Sequence, residues 1–299
     1  MNNIIKYILN NSEKVKIHSN DISDGDVFLA LQGNKNHGNN FINKALDCGA
    51  KYVLTNKMLD KKFQNSNILY IRELLNFLLK IASQKRSLYK GNIIAITGSV
   101  GKTSVKENLK YLLSPYFKVS ASIKSYNNHL GVIISILNLD LESDYGIFEL
   151  GTNDFNEIGK LTNILLPNQT IITNIYPVHL EKLINTNNIA KEKSDIFNVK
   201  YNPNIKMVIL PYDNVDEKKL LKIAIKNKIK DIFIFGNNQE STLRIDNIEN
   251  LDHQLSKIKL YYDKKQYEFT INNNQLYRIN NVLICMLIFI YNNINIDYF

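Results

Sequence analysis

The sequence predicts an α/β chain: a small N-terminal α/β unit, then a P-loop ATPase-like central domain with a mostly parallel sheet. Three observations predict it. Short apolar runs alternate with helical spacing along most of the 299 residues, as βαβ units require. One run, Ile93 to Ile96, leads into Thr97-Gly98-Ser99-Val100-Gly101-Lys102-Thr103-Ser104 and then a helical pattern, Val105 to Leu113. Strand, glycine loop, Lys-Thr and helix form the layout of a phosphate-binding loop. Finally, Ser87-Leu88-Tyr89-Lys90-Gly91 reads as a join, which divides the chain into residues 1–88 and 89–299.

In the first unit, Asp26 to Leu31 reads as a strand that stops at Gln32-Gly33. Phe41 to Cys48 has helical spacing and ends at Gly49, a natural C-terminal cap. Lys51 to Thr55 and Asn67 to Ile71 read as strands, and Leu74 to Ser87 as a helix. His18 and His37 are lone histidines, for which a structural or surface role is the plain reading.

The second unit opens on the phosphate loop. Glycines let backbone N–H groups turn toward phosphate oxygens, and the helix N-terminus adds partial positive charge. Lys102 would reach the β/γ-phosphates and Thr103 would hold Mg²⁺. The match is Gly-x-x-Gly-Lys-Thr, because Ile96 stands where the common pattern has a further glycine. Phe117 to Ser120 is a strand, and Ser125-Tyr-Asn-Asn-His-Leu-Gly131 opens an apolar helix, Val132 to Leu137. Those amides and the histidine suit either a capped turn or a phosphate contact. Tyr145 to Glu149 is a strand whose final carboxylate sits where α/β sheets place their ligands; an exposed strand end is the plainer alternative. Gln169 to Ile175 repeats the pattern and leads to His179, a second metal-ligand candidate. Ile189 to Val199 is a helix with Lys191, Glu192, Lys193 and Asp195, which reads locally as a charged face. Met207 to Pro211 and Asp231 to Phe235 are strands, residues 241–275 are short alternating strands, and Asn281 opens the apolar helix Val282 to Tyr291.

Composition narrows the class. The net charge is +9, but the lysines are scattered, so a solvated surface and anionic substrates are expected rather than nucleic acid. Cys48 and Cys285 lie far apart without metal-ligand spacing, which fits a reducing compartment. No signal peptide is recognised, and the longest apolar run is too short to span a bilayer. A cytoplasmic enzyme is therefore expected.

Several segments together resemble the Mur ligase family of ATP-dependent peptidoglycan precursor ligases. They are Thr97 to Glu107, Tyr126 to Val132, Glu149 to Asn153 with Glu157-Ile158, Thr173 to Glu181 and Ile189 to Phe197. Lys106-Glu107 after the loop resembles the type that adds D-alanyl-D-alanine. Gly25 to Gly33 and Phe41 to Ala50 resemble that type's N-terminal domain. The resemblance implies ATP and Mg²⁺ as cofactors, with UDP-N-acetylmuramoyl tripeptide and D-alanyl-D-alanine as substrates. ATP would phosphorylate the tripeptide carboxylate, and the dipeptide amine would then attack the acyl phosphate. Gly98, Ser99, Val100, Gly101, Lys102, Thr103 and Ser104 would hold the phosphates, with Asn281 near the adenine. Thr103, Glu149, His179 and Lys193 would serve the metals, Lys193 as a carbamate formed with CO₂. Lys102, Lys193 and His179 would be catalytic, and Ser19, Asn127 and Asn128 would meet the precursor.

The sequence also departs from the family. The uridine motif Asp-Ser-Arg appears as His18-Ser19-Asn20, and the Gly-x-His-Asn-x-x-Asn segment as Gln275 to Asn281. A C-terminal domain, which in the family closes on ATP, is expected to be absent or supplied by another chain. The alternative expectation is a truncated or degenerate ligase that binds nucleotide without making product. An unrelated phosphate-loop kinase and a nucleic-acid module find no further motif here.

Overall fold

The computed structural model describes residues 1–33, 36–59, 67–178, 180–252, 255–272 and 275–296. The chain divides into two compact units, residues 1–91 with 130–143, and residues 92–129 with 144–299.

The first unit contains helix α1 (Asn2–Asn10), strands β1 (Val15–Lys16) and β2 (Val27–Ala30), helix α2 (Ile42–Asp47), strands β3 (Tyr52–Thr55) and β4 (Ile68–Tyr70), and helix α3 (Leu74–Leu88). Its sheet is parallel throughout, in the order β1-β2-β3-β4. Phe28, Ala30, Ile42, Ala45 and Val53 form its core. His37 is structural: its Nδ1 accepts the Asn39 N–H at 3.0 Å and its Nε2 pairs with Asn56 at 3.1 Å. The buried Lys85 donates to the carbonyls of Ile8, Asn11 and Leu137 at 2.9, 2.8 and 2.8 Å. One cation thereby satisfies carbonyls at two helix C-termini, where positive charge is favoured.

The second unit begins with β5 (Asn92–Thr97), α4 (Lys102–Leu113), β6 (Val119–Ala121) and the start of α5 (His129–Leu137), whose remainder belongs to the first unit. It continues through β7 (Tyr145–Glu149), α6 (Glu157–Leu165), β8 (Gln169–Ile172), α7 (Leu180–Leu183), α8 (Thr186–Ser194), β9 (Met207–Pro211), α9 (Val215–Lys226) and β10 (Asp231–Gly236). Strands β11 (Leu243–Asn250), β12 (Leu255–Tyr262) and β13 (Lys265–Asn272) and helix α10 (Leu276–Tyr291) complete it. Among the described residues, nine strands form one sheet in the order β13-β12-β11-β10-β9-β8-β5-β7-β6. Pairing is parallel from β6 to β11 and antiparallel from β11 to β13. Ile93 to Ile96 of β5 are fully buried on both faces, as a central parallel strand requires. The core joins β5, β7 and β9 to α4 and α10 through residues such as Ile94, Leu109, Ile209, Leu283 and Leu287.

Strand order reverses at β5, with β7 and β6 on one side and β8 and β9 on the other. Such a switch point opens a crevice at the carboxyl ends of the strands. Among the described residues, no helix is long and apolar enough to cross a membrane.

Candidate functional site

Three strand ends converge at that crevice. The first is β5, whose chain turns through Gly98 (φ +149°) and Gly101 (φ +85°) before α4 begins at Lys102. Gly101 is the N-cap in the left-handed region, where an L side chain is strained. A Cβ at Gly98 would collide with Thr173 Oγ1. The end of β8 braces the loop from the other side. Thr173 Oγ1 donates to the Val100 carbonyl at 2.6 Å, and the Val100 N–H donates to Asn174 Oδ1 at 3.0 Å. Ser99 Oγ accepts the Tyr176 N–H at 2.9 Å and donates to the Tyr176 carbonyl at 3.0 Å. Lys102 Nζ folds back onto the Gly98 and Ser99 carbonyls at 2.9 and 3.2 Å.

The end of β7 supplies Glu149, which is 2 % exposed. An exposed strand-end carboxylate is therefore the wrong description of it. Glu149 accepts a hydrogen bond from Thr103 Oγ1 at 2.7 Å and another from Asn127 Nδ2 at 2.7 Å. The Gly151 N–H donates to the Asn127 carbonyl at 2.8 Å, which ties the segment before α5 to the end of β7. Thr103 and Glu149 form a compact oxygen-donor pair, the hard chemistry that suits Mg²⁺. No group of three or more His, Cys, Asp and Glu side chains that could hold a metal occurs among the described residues.

Helix α8 corrects the charged-face expectation. Glu192 and Lys193 are 4 % and 2 % exposed, and Lys193 Nζ donates to the Gly98 carbonyl at 3.0 Å. Burial first, and the nearby Lys102 second, lower the Lys193 pKa to about 7, while Glu192 acts in the opposite direction. Burial also lowers the Lys102 pKa, opposed by Glu149. Two lysines thus share one carbonyl, and Lys193 is poised to exist as a neutral amine near neutral pH.

A cleft of about 440 Å³ brings Lys102, Asn127, Asn128 and Lys193 together with His129, Gly151, Thr152, Asn153, Glu157, Lys160 and Leu161. A second cleft, of about 350 Å³, flanks the first turn of α4 and is lined by Ser104, Asn108, Tyr277, Arg278 and Asn281 among others. Asn281 lies inside α10, which starts at Leu276, rather than opening the helix. It approaches the phosphate loop so closely that a Cβ on Gly101 would stand 3.1 Å from Asn281 Oδ1. Ser19 lies in a short 3₁₀ turn of the first unit and lines neither cleft. His179 lies outside the described residues. Sequence reasoning missed Lys160, Leu161 and the role of Glu192. Its signal for the first two was the helical spacing of Ile158, Leu161, Thr162 and Leu165.

Comparison with known proteins follows the same outline. The Mur ligase middle domain matches residues 96–289, and the Mur ligase family catalytic domain matches residues 12–86. The chain is 36 % identical over 262 residues to UDP-N-acetylmuramoyl-tripeptide--D-alanyl-D-alanine ligase of Rickettsia prowazekii, covering 87 % of this chain and 57 % of that protein. It is 31 % identical over 272 residues to the enzyme of that name from Buchnera aphidicola, covering 91 % and 57 %. The chain therefore spans little more than half the length of these relatives. The crystal structure of MurF ligase from Thermotoga maritima in complex with ADP superposes with a TM-score of 0.79 at 20 % identity, over 97 % of this chain and 65 % of that one.

Proposed function

This chain belongs to the Mur ligase family, and from that premise we propose that it carries the precursor-binding and ATP-binding domains, residues 1–88 and 89–299, of the ligase that joins D-alanyl-D-alanine to UDP-N-acetylmuramoyl tripeptide. The observation that carries the reading is the meeting of Lys102, Thr103, Glu149 and Lys193 around one phosphate loop. The length of the relatives that this chain does not span is proposed to complete the site, from the same or a separate chain.

Each residue then has a task. The α4 N-terminus attracts the phosphates, and Lys102 exchanges its loop carbonyls for their oxygens. Thr103 and Glu149 would hold Mg²⁺, which neutralises charge on the transferring phosphoryl group. Lys193, uncharged in part at neutral pH, has the lone pair that attack on CO₂ needs. A carbamate there would replace a second cation with an anion. Asn127 fixes the Glu149 carboxylate, and with Asn128 it faces the precursor. Asn281, Tyr277 and Arg278 form the wall available to the base. The acyl phosphate formed on the tripeptide must be kept from water until the dipeptide amine attacks.

The test is phosphate release from ATP with Mg²⁺, bicarbonate, UDP-N-acetylmuramoyl tripeptide and D-alanyl-D-alanine, beside Lys102→Ala. Release that requires both substrates and disappears in the variant is expected. ATP binding lost in Lys102→Ala but no release by either protein would favour the alternative, a nucleotide-binding chain that needs a partner. ATP binding and turnover untouched by Lys102→Ala would overturn the phosphate-loop assignment.

A further inference from the structure

Glu192 and Lys193 are consecutive on α8, so their side chains leave the helix about 100° apart. Lys193 reaches the phosphate loop; Glu192 reaches the start of α6. Glu192 Oε2 accepts the Asn156 N–H at 2.7 Å, and its Oε1 accepts those of Glu157 and Ile158, both at 2.9 Å. These are the N–H groups of the N-cap and of the first two residues of α6, which have no partner within the helix. Asn156, the N-cap residue, makes no side-chain cap bond and sits at φ +61°. Its cap comes instead from a carboxylate on another helix.

The clamp is passed on toward the cleft. Glu157, fixed by Glu192 through its own amide, turns its carboxylate back onto the N–H groups of Asn153 and Asp154 at 2.7 and 3.1 Å. The same oxygen accepts the Thr152 hydroxyl at 3.1 Å. Thr152, Asn153 and Glu157 all line the large cleft. Packing leaves α6 little freedom to drift, because a Cβ on Gly159 would collide with the Tyr201 ring.

We infer that Glu192 is a positioning residue: its carboxylate sets the backbone of residues 152–158 and so shapes the wall of the cleft that receives the muramoyl-peptide precursor. This rests on the functional reading above. It adds that this stretch is held by the residue next to Lys193 on the same helix. A carboxylate is required there because only its two oxygens accept three amides, and because the α6 N-terminus favours an anion.

The experiment compares the unsubstituted chain with Glu192→Gln, and with Glu192→Asp should the first variant not fold. Titration calorimetry measures UDP-N-acetylmuramoyl tripeptide and ATP separately, and amide hydrogen exchange follows residues 152–158. Precursor affinity is expected to fall at least tenfold while ATP affinity stays within twofold, and the amides of 156–158 should exchange faster. Faster exchange with precursor affinity unchanged would make Glu192 a structural cap alone and overturn the inference. Equal loss of both ligands would also overturn it. Failure of the unsubstituted chain to bind the precursor would instead sink the functional reading, and the inference with it.

Discussion

Lys193 is where burial and function meet at the scale of one residue. Its pKa is lowered from 10.5 to about 7, so the unfolded chain binds the proton more tightly than the native one. Stability therefore rises as pH increases from about 7 to about 10.5, at up to about 1.4 kcal/mol per pH unit. Below pH 7 both states are protonated and the cost is constant. Lys193→Met, of similar volume, is expected to remove that slope and to be more stable than the unsubstituted chain at pH 7 in bicarbonate-free buffer. Urea unfolding at pH 7 and pH 9 checks this: equal pH dependence in the two proteins would show that Lys193 is not buried as a strained cation. Lys85, lowered to about 8 by burial, adds its own slope between pH 8 and 10.5 in both proteins, so the difference isolates Lys193.

Helix termini decide the site at the next scale. Gly101 begins α4 with a left-handed backbone, and an alanine there would cost about 1–2 kcal/mol from the backbone alone. It would also press on Asn281 Oδ1. Gly101→Ala should therefore lower the thermal midpoint and weaken ATP binding together, measurable by melting with and without nucleotide. An unchanged ATP-dependent shift would mean that the loop closes without this turn. The start of α9, Asn214-Val215-Asp216-Glu217, forms a full capping box from its own residues. The start of α6 does not, because its cap lies 34–36 residues away on Glu192.

Over the whole molecule, residues 130–143 group with residues 1–91 although the chain reaches them after the phosphate loop. Asn138 closes both hydrogen bonds of the Val15 backbone, each at 2.8 Å, and Leu137 accepts from Lys85. A fragment of residues 1–91 should accordingly lose cooperative unfolding by circular dichroism, and appending residues 130–143 through a flexible linker should restore it. Cooperative melting of 1–91 alone would refute this. The linear chain reads as a cut near residue 88 because Ser87 to Gly91 reads as a join; return of a later helix to an earlier unit leaves no local mark. By contrast, the phosphate loop, the strands β5, β7 and β9 and the mostly parallel sheet follow from local pattern, since glycine placement and continuous apolar runs act over a few residues. The nine-strand order, the burial of Glu149 and Lys193 and the reach of Glu192 belong to tertiary structure alone. Charge written along a helix looks solvated until a neighbouring element removes the water, and only the packed fold determines which charges lose it.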